Sequence, residues 1–402
     1  MATALLLSMS SFAQQALFDN VPVVSPELNA NHTVTFRLKA PNAQKVQITG
    51  DFLPTKQIDT PVGKYDAPGV ADLVKDDKGV WSFTSTNLSP ELYSYNLILD
   101  GVKIVDPGSV YITRDITSVT NIFILSDKKG DCGDLYTVNE VPHGNVQKVW
   151  YDSPTLKMQR RMTVYTPAGY DKGKDYPVLY LLHGAGGDED AWTTLGRASQ
   201  ILDNLIATGK AKPMVVVMTN GNPNCQAAPG EWSAGMYVPS FYGYQGAKAV
   251  ATMDESFPDV MNYVESHYKV GKDKAHRAIC GLSMGGGHSF DISRRFPNKF
   301  DYVGLFSAGL HVGKTGDFRT DFYKMLQEDE EVKQQLATLF KYKPKLYWIG
   351  MGKTDFLYKS TAGLRRYFDE KGYKYTYMET EGGHIWRNWR VYLTEFAQKI
   401  FK

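Results

Sequence analysis

The sequence predicts two units: an all-β sandwich, followed by an α/β unit whose mostly parallel sheet carries helices on both faces. The chain has 402 residues, more than one ordinary domain requires. Short alternating apolar runs fill residues 33–126, whereas continuous apolar runs alternate with amphipathic stretches from about residue 134 onward. We therefore expect a first domain at 19–128 and a second at 129–402.

The first unit is predicted from its short strands and frequent turns. Turn residues such as the Asp-Gly pair at 100–101 separate the apolar runs, and no helical period interrupts them. About seven short strands in some 100 residues are typical of a β-sandwich. The clearest strands are residues 34–38, 46–49, 80–84 and 93–99.

The second unit is predicted from a change in the spacing of apolar residues, from short alternating runs to continuous runs separated by amphipathic stretches. Residues 178–182 and 214–218 are apolar throughout, as strands buried on both faces of a parallel sheet should be. Functional residues of such a sheet collect at the carboxyl ends of its strands. The predicted helical stretches are residues 199–208, 257–268, 322–340 and 361–372.

Composition and charge exclude several classes of partner. A hydrophobic content of 43% with 22% charged residues is that of a packed globular protein. The formal net charge of +2 gives no electrostatic argument for binding nucleic acid or an anionic membrane. No later stretch reaches the 18 apolar residues of a membrane span, so no membrane anchor is expected.

The first 18 residues resemble a signal peptide. Their apolar segment is followed by small residues, although the usual basic start is missing. An ordinary N-terminal helix or an unordered start is the alternative. The interpretation as a signal peptide predicts a secreted or periplasmic protein.

The three cysteines match no zinc-binding spacing. Cys280 lies in a predicted buried strand, and a Cys132–Cys225 disulfide stays open as an expectation for an exported chain. We expect no metal and no organic cofactor.

The residues that carry chemistry begin with Ser283. It is the centre of Gly-Leu-Ser-Met-Gly at 281–285, between an apolar run at 275–280 and a helix-like run at 287–295. A G-x-S-x-G segment between a strand and a helix forms a sharp turn that exposes the serine hydroxyl. Ser283 is therefore the predicted nucleophile.

A serine hydroxyl needs a base to take its proton. Only His311 and His384 follow Ser283 in the chain. His384 is favoured because it lies in a glycine-containing loop after a strand-like run, and His311 is the weaker alternative.

The base in turn needs an acid that fixes its tautomer. Asp355 follows the apolar run 346–352 and is the only carboxylate before the next helical stretch. A helix cap is the alternative role for this residue. Asp317 and Asp321 compete less well because no strand leads into them.

An oxyanion hole requires two backbone N–H groups. Met284, next after the nucleophile, should supply one. The glycine-rich loop at 183–187 should supply the other, from Ala185 or, second, Gly184. His183 is interpreted as a structural loop residue.

Aromatic residues indicate where a substrate would bind. The long segment 220–244 contains Trp232, Tyr237, Phe241 and Tyr242, which would suit an aromatic acid or a sugar. The candidate substrate-binding residues are Gly184, Trp232, Tyr237 and Trp386.

Two resemblances extend this interpretation. The segments FRLKAPNAQKVQITGDF, DDKGVWSFT and YSYNLILDGVKIVDP resemble immunoglobulin-like modules of the glycogen- and starch-binding type. Such modules often precede carbohydrate-active enzymes, and many only pack against the catalytic domain. The resemblance implies an immunoglobulin-like fold and leaves glycan binding open.

The segments LYLLHGAGGDEDAW, AICGLSMGGGHSF, GMGKTD and EGGHIWRNWR resemble esterases related to esterase D, and most of all the feruloyl and acetyl-xylan esterases of carbohydrate esterase family 1. This resemblance implies an α/β-hydrolase fold. It implies the same roles for Ser283, Asp355 and His384, and supports Ala185 and Met284 as the oxyanion pair.

The function expected from these features is a secreted serine esterase that removes feruloyl groups from plant cell-wall polysaccharide such as arabinoxylan, or from its acylated oligosaccharides. Acetyl-xylan is an alternative substrate.

Enterochelin esterases share the motifs and also carry an amino-terminal β-domain, so a siderophore ester is a second alternative substrate. Arg387 and Arg390 are the candidate contacts for its negative charge. A non-catalytic glycan-binding protein is the alternative from a different class. Oligomeric state is not predicted.

Overall fold

The structure, a computed structural model, describes residues 23–60, 63–239, 249–311 and 322–402. Its first part is all-β, as predicted. The strands are β1 (Glu27–Leu28), β2 (Val34–Lys39), β3 (Val46–Gly50), β4 (Lys56–Thr60), β5 (Gly63–Ala67), β6 (Gly69–Asp72), β7 (Val74–Lys75), β8 (Val80–Thr84), β9 (Glu91–Leu99), β10 (Val102–Ile104), β11 (Ile112–Asp115) and β12 (Ser118–Leu125).

Strands β4 and β5 pair as a separate two-stranded sheet, and the other ten strands form two facing sheets. One has the order β1-β2-β8-β7, and the other has the order β11-β12-β9-β3-β6 with β10 added beside β9. Alternate residues of each strand point inward, because side chains in a strand alternate between its two faces. The shared core includes Val34, Phe36, Ile48, Tyr95 and Phe123. The structure has more strands than the expected seven because two-residue strands such as β1 and β7 carry too weak a sequence pattern.

The second part is the predicted α/β unit. Its strands are β13 (Asn145–Ser153), β14 (Met158–Thr166), β15 (Val178–Leu182), β16 (Val215–Thr219), β17 (Arg277–Leu282), β18 (Tyr302–Phe306), β19 (Leu346–Gly352) and β20 (Thr376–Thr380). Its helices are α1 (Cys132–Tyr136), α2 (Ala191–Thr194), α3 (Ala198–Ala207), α4 (Met253–His267), α5 (Met284–Arg295), α6 (Phe322–Glu328), α7 (Glu330–Lys341), α8 (Tyr358–Lys371) and α9 (Trp386–Ala397).

One sheet organises this unit, with the order β13-β14-β16-β15-β17-β18-β19-β20. The strands from β16 to β20 are parallel, and the β13–β14 hairpin is antiparallel at one edge. Separate buried clusters cover its faces, one including residues of α4, α7 and α8 and the other residues of α3 and α9. The carboxyl ends of β17, β19 and β20 therefore meet at one edge of the sheet.

One helix prediction was wrong in its extent. The single stretch predicted at 322–340 is two helices, α6 and α7, that meet at Asp329. The Asp329 carboxylate accepts the N–H of Val332 at 2.9 Å, which caps α7 and starts a new helix.

The two units pack closely. Leu92 of β9 and Ile122 of β12 belong to the same buried cluster as Tyr136, Trp192 and Leu393 of the α/β unit. The predicted boundary at 128/129 falls between β12 and α1. Among the described residues, no helix is both long and apolar enough to cross a bilayer.

Candidate active site

Ser283 lies in a strained turn between β17 and α5. Its φ is 52° and its ψ is −116°, a conformation that non-glycine residues rarely adopt. The flanking glycines are required by space, because a Cβ on Gly281 would lie 2.5 Å from the carbonyl oxygen of Gly285. The helix begins at Met284, three residues earlier than predicted, so the turn has no intervening loop.

His384 and Asp355 are brought together from neighbouring strands. Asp355 follows β19, and His384 follows β20. Nδ1 of His384 lies 2.9 Å from Oδ2 and 3.1 Å from Oδ1 of Asp355. Oδ1 also accepts the N–H of Leu357 at 2.9 Å, so the acceptor is held from a second side. The carboxylate is buried, and Nε2 of His384 makes no hydrogen bond to any residue that the structure describes.

The competing candidates are less well supported. His311 is exposed and hydrogen-bonds to no residue within the described ranges. Asp317 and Asp321 lie outside the described residues.

The glycine-rich loop after β15 lies against the nucleophile turn. A Cβ on Gly184 would be 3.2 Å from the Cβ of Ser283 and 2.4 Å from a methyl group of Leu282. The N–H of Ala185 donates no hydrogen bond to the described part of the chain. Met284 is the first residue of α5, where N–H groups have no acceptor within the helix. The arrangement can offer two N–H groups to an anionic oxygen.

His183 fixes this loop as a neutral side chain. Nδ1 lies 2.7 Å from the carbonyl oxygen of Gly184, and Nε2 accepts the N–H of Gly221 at 2.7 Å. Both bonds exist together only when Nδ1 carries the proton and Nε2 does not. Burial lowers the pKa of His183 and favours the same neutral form. The side chain is thus a structural link between the loops that follow β15 and β16.

Glu189 organises the segment that follows β16, a role that no sequence pattern indicated. Its buried carboxylate accepts hydrogen bonds from Arg161 Nε at 2.7 Å, Asn220 Nδ2 at 2.9 Å and the N–H of Ala228 at 2.8 Å. Arg161 also contacts Glu231 at 2.8 Å. The start of the long segment at 220–231 is therefore fixed to β14.

The structure does not bring the aromatic candidates of this segment together into a pocket among the described residues. The side chain of Tyr237 is 93% exposed, so it lines no closed pocket in this structure. Trp232 is half-buried, with its indole over Gly235. Phe241 and Tyr242 lie outside the described residues.

Trp386 lies beside the His384 loop and faces the β-sandwich. Its ring packs edge-on against Trp192 at 5.3 Å and Trp389 at 5.2 Å, and Trp389 packs edge-on against His384 at 4.9 Å. Its indole N–H donates to Asp115 of β11 at 3.3 Å.

The two arginines of α9 bind the sandwich. Arg390 is buried and donates to the Glu91 carboxylate at 3.2 Å and to the carbonyl oxygen of Leu195 at 3.1 Å. Arg387 lies over the ring of Tyr93, 5.3 Å from its centroid.

The three cysteines are free thiols, so the Cys132–Cys225 disulfide does not form in this structure. Cys280 is buried in β17, as expected. Within the described ranges, no group of His, Cys, Asp and Glu side chains has the arrangement of a metal site.

Comparison with known proteins adds sequence and fold relationships. The model of the Esterase family matches residues 153–400. Over 388 residues, the chain is 30% identical to an endo-1,4-beta-xylanase/feruloyl esterase of Xylanibacter ruminicola. That match covers 94% of this chain and 46% of the relative, so the chain spans about half the relative's length.

Solved structures show the same fold. A carbohydrate esterase family 1 ferulic acid esterase of Anaeromyces mucronatus, in complex with ferulic acid, has a TM-score of 0.52 at 24% identity, covering 69% of this chain and 98% of that one. An enterobactin esterase of Shigella flexneri has a TM-score of 0.58 at 14% identity, covering 91% and 92%. The α/β unit therefore has the predicted α/β-hydrolase fold.

Proposed function

The chain belongs to the Esterase family, and from this premise we propose that it is a carboxylic ester hydrolase of the serine type. The observation that carries the proposal is the contact of His384 with Asp355 at the same sheet edge as the strained turn of Ser283. Order in the chain and position on the strands agree with a nucleophile, an acid and a base.

The proposed reaction begins when the hydroxyl oxygen of Ser283 attacks the ester carbonyl and Nε2 of His384 takes the hydroxyl proton. Asp355 keeps the proton on Nδ1 and stabilises the imidazolium that forms. The oxyanion accepts the N–H groups of Ala185 and Met284. His384 then gives its proton to the departing alcohol, and an acyl-enzyme remains on Ser283.

Water completes the cycle. His384 takes a proton from a water molecule whose oxygen attacks the acyl-enzyme carbonyl. The second tetrahedral intermediate collapses, the acid leaves, and the proton returns to Ser283. None of these proposed steps requires a metal or an organic cofactor.

We propose feruloyl esters of plant cell-wall polysaccharide as the substrates. The support is the 30% identity to the xylanase/feruloyl esterase, which extends over 94% of this chain and so includes the sandwich. An acetylated xylan is the alternative within the same class. A glycan ester also fits the proposed export, with residues 1–18 as the leader; the mature N-terminus of the secreted protein tests that point.

A siderophore ester is the second candidate, because the fold match to the enterobactin esterase covers both units. An anionic siderophore requires accessible cations. Arg390 is buried against Glu91, and Arg387 stacks on Tyr93, so the two arginines are already engaged within the protein. These contacts favour the glycan ester.

A substrate panel tests the proposal. Wild type and Ser283→Ala are compared on methyl ferulate, acetylated xylan and enterobactin, with the Ser283→Ala rate as background. We expect the highest kcat/KM on methyl ferulate. Faster turnover of enterobactin would establish the second candidate instead, and an equal rate for both proteins on every substrate would refute the serine esterase. Retention on insoluble xylan tests separately whether the sandwich binds glycan.

A further inference from the structure

A hairpin of the β-sandwich reaches the edge of the α/β sheet where the candidate active site lies. Strands β11 and β12 pair from Ile112–Asn121 to Asp115–Ser118, which leaves Ile116 and Thr117 as the turn. Ile116 has a φ of 54°, which a β-branched residue rarely adopts, so contacts of the tip must hold it there. Arg114 and Asp115, the last residues of β11, both contact the α/β unit.

Arg114 contacts the loop that carries the predicted oxyanion donor. Nη2 of Arg114 lies 2.5 Å from Oδ2 of Asp188, three residues after Ala185. The Asp188 side chain is 2% exposed, and Arg114 supplies its only ion pair within the described residues. Nη1 of Arg114 also donates to the carbonyl oxygen of Ile116 at 3.2 Å, which orients the guanidinium. A buried carboxylate paired in this way fixes its loop strongly.

Asp115 contacts the segment that carries the predicted base. Its Oδ2 accepts the indole N–H of Trp386 at 3.3 Å. Trp386 packs on Trp389, and Trp389 packs edge-on against the ring of His384. Trp386 also packs on Trp192, whose own indole N–H donates to the carbonyl oxygen of Leu182 at the end of β15. The same tryptophan thus connects the base segment to the start of the oxyanion loop.

Neighbouring contacts keep the hairpin in place. Tyr111, just before β11, hydrogen-bonds Arg197, and Arg197 donates to the carbonyl oxygen of Tyr136 at 2.9 Å. A cavity of about 390 Å³ lies on one side of Asp115, and Thr194 and Leu195 line it together with residues of the sandwich. Beside this cavity, the hairpin contacts the α/β unit through the polar side chains of Arg114 and Asp115.

We propose that Arg114 and Asp115 are positioning residues for ester hydrolysis, with Arg114 holding the oxyanion loop through Asp188 and Asp115 holding the His384 segment through Trp386. The inference rests on the proposed function of Ser283 and His384. The sandwich would then affect catalysis even on small esters, which carry no glycan for the sandwich to bind.

The test uses the full chain with Arg114→Ala, Asp115→Ala and the double variant, assayed on p-nitrophenyl acetate. Misplacing a catalytic group by about 1 Å costs up to about 100-fold, so we expect kcat to fall about 10- to 100-fold for each single variant, with KM changed by less than about threefold. Arg114→Lys keeps a cation within reach of Asp188 and should recover most of the loss in kcat. Trp386→Phe removes the same indole N–H donor and alters the ring contacts with Trp192 and Trp389, so it should lower kcat at least as much as Asp115→Ala does.

Arg37→Ala controls for the loss of an arginine of similar exposure, 31% against 36% for Arg114, because Arg37 makes a 2.6 Å ion pair within the sandwich with Glu27, which is more exposed than Asp188. It should leave kcat unchanged. Melting temperatures separate loss of fold from loss of position, and Arg114→Lys keeps the test valid if Arg114→Ala is unstable.

Three outcomes would overturn the inference: folded Arg114→Ala and Asp115→Ala with wild-type kcat, a folded Arg114→Lys as slow as Arg114→Ala, or a loss confined to KM. Wild-type turnover that Ser283→Ala does not abolish would instead refute the proposed function on which the inference rests. The two failures are therefore distinguishable.

Discussion

Nδ1 of His384 lies 2.9 Å from Oδ2 of Asp355, although the two residues are 29 positions apart in the chain. The carboxylate is buried and also accepts the N–H of Leu357. A carboxylate held in this way can fix only one tautomer of the imidazole, with the proton on Nδ1 and Nε2 left to act as a base.

Asp355→Asn should therefore inactivate the protein without unfolding it. The amide can donate to Nδ1 and stabilise the wrong tautomer, and we expect kcat on methyl ferulate to fall by about 10⁴-fold. Asp369→Asn, an exposed position on α8, is the control and should retain wild-type kcat. Equal activity of the two variants would exclude Asp355 as the acid.

The close approach of Gly184 to the nucleophile gives a second prediction. A methyl group there would lie 3.2 Å from the Cβ of Ser283 and would displace the loop that holds Ala185. Because oxyanion donors must be placed accurately, Gly184→Ala should lower kcat about 10²- to 10³-fold. Gly130→Ala controls for the loss of a glycine: no atom lies within 4 Å of the added Cβ, and although the φ of 88° makes alanine strained there and should lower stability, kcat should stay at the wild-type value.

Glu189 should matter for stability. Its removal leaves the buried Arg161 without its closest partner, so Glu189→Ala should lower the free energy of unfolding by about 3–5 kcal/mol. Glu330→Ala breaks a 2.6 Å ion pair with Lys333 in which the glutamate is 88% exposed, and should cost less than about 1 kcal/mol. Urea unfolding of both variants measures the difference, and similar losses would contradict the role given to Glu189.

Histidine burial predicts a pH dependence. Burial lowers the pKa of His288 to about 4, and its Nδ1 is buried without a hydrogen-bond partner. His288 therefore becomes protonated at a lower pH in the folded state than in the unfolded chain, where its pKa is near the usual 6.5. Stability from neutral His288 is complete above about pH 6.5 and is lost as the pH falls toward about 4.

The measurement is the free energy of unfolding between pH 8 and pH 4, for wild type and His288→Asn. Below pH 6.5, the unfolding free energy of the variant should fall less steeply with decreasing pH than that of wild type. The two slopes should differ by up to about 1.4 kcal/mol per pH unit. Identical slopes would mean that His288 takes up its proton in both states alike.

Much of the fold could be predicted because local patterns determine it. Continuous apolar runs marked most of the parallel strands, and the turn at Ser283, the proposed acid Asp355 and the proposed base His384 each follow a strand of this sheet. The short edge strands of the sandwich could not be predicted, since two or three residues carry no period. The break at Asp329 was missed because an N-cap within a long amphipathic stretch looks like an ordinary surface residue.

The contacts between the units could not be predicted at all. Arg114 and Asp188 are 74 positions apart, and nothing local marks either residue as a partner. Arg387 and Arg390 illustrate the same limit: from sequence they were candidate anion contacts or ordinary surface charges, whereas in the structure both side chains contact the sandwich.

Covalent labelling of Ser283 tests the central claim most directly. Wild type is treated with diisopropyl fluorophosphate, residual activity on methyl ferulate is followed with time, and the labelled peptide is identified by mass spectrometry. We predict one adduct per chain, on Ser283, forming in proportion to the loss of activity, and no adduct in Ser283→Ala. Full activity in a protein labelled at Ser283, or loss of activity with the label elsewhere, would contradict the assignment of the nucleophile.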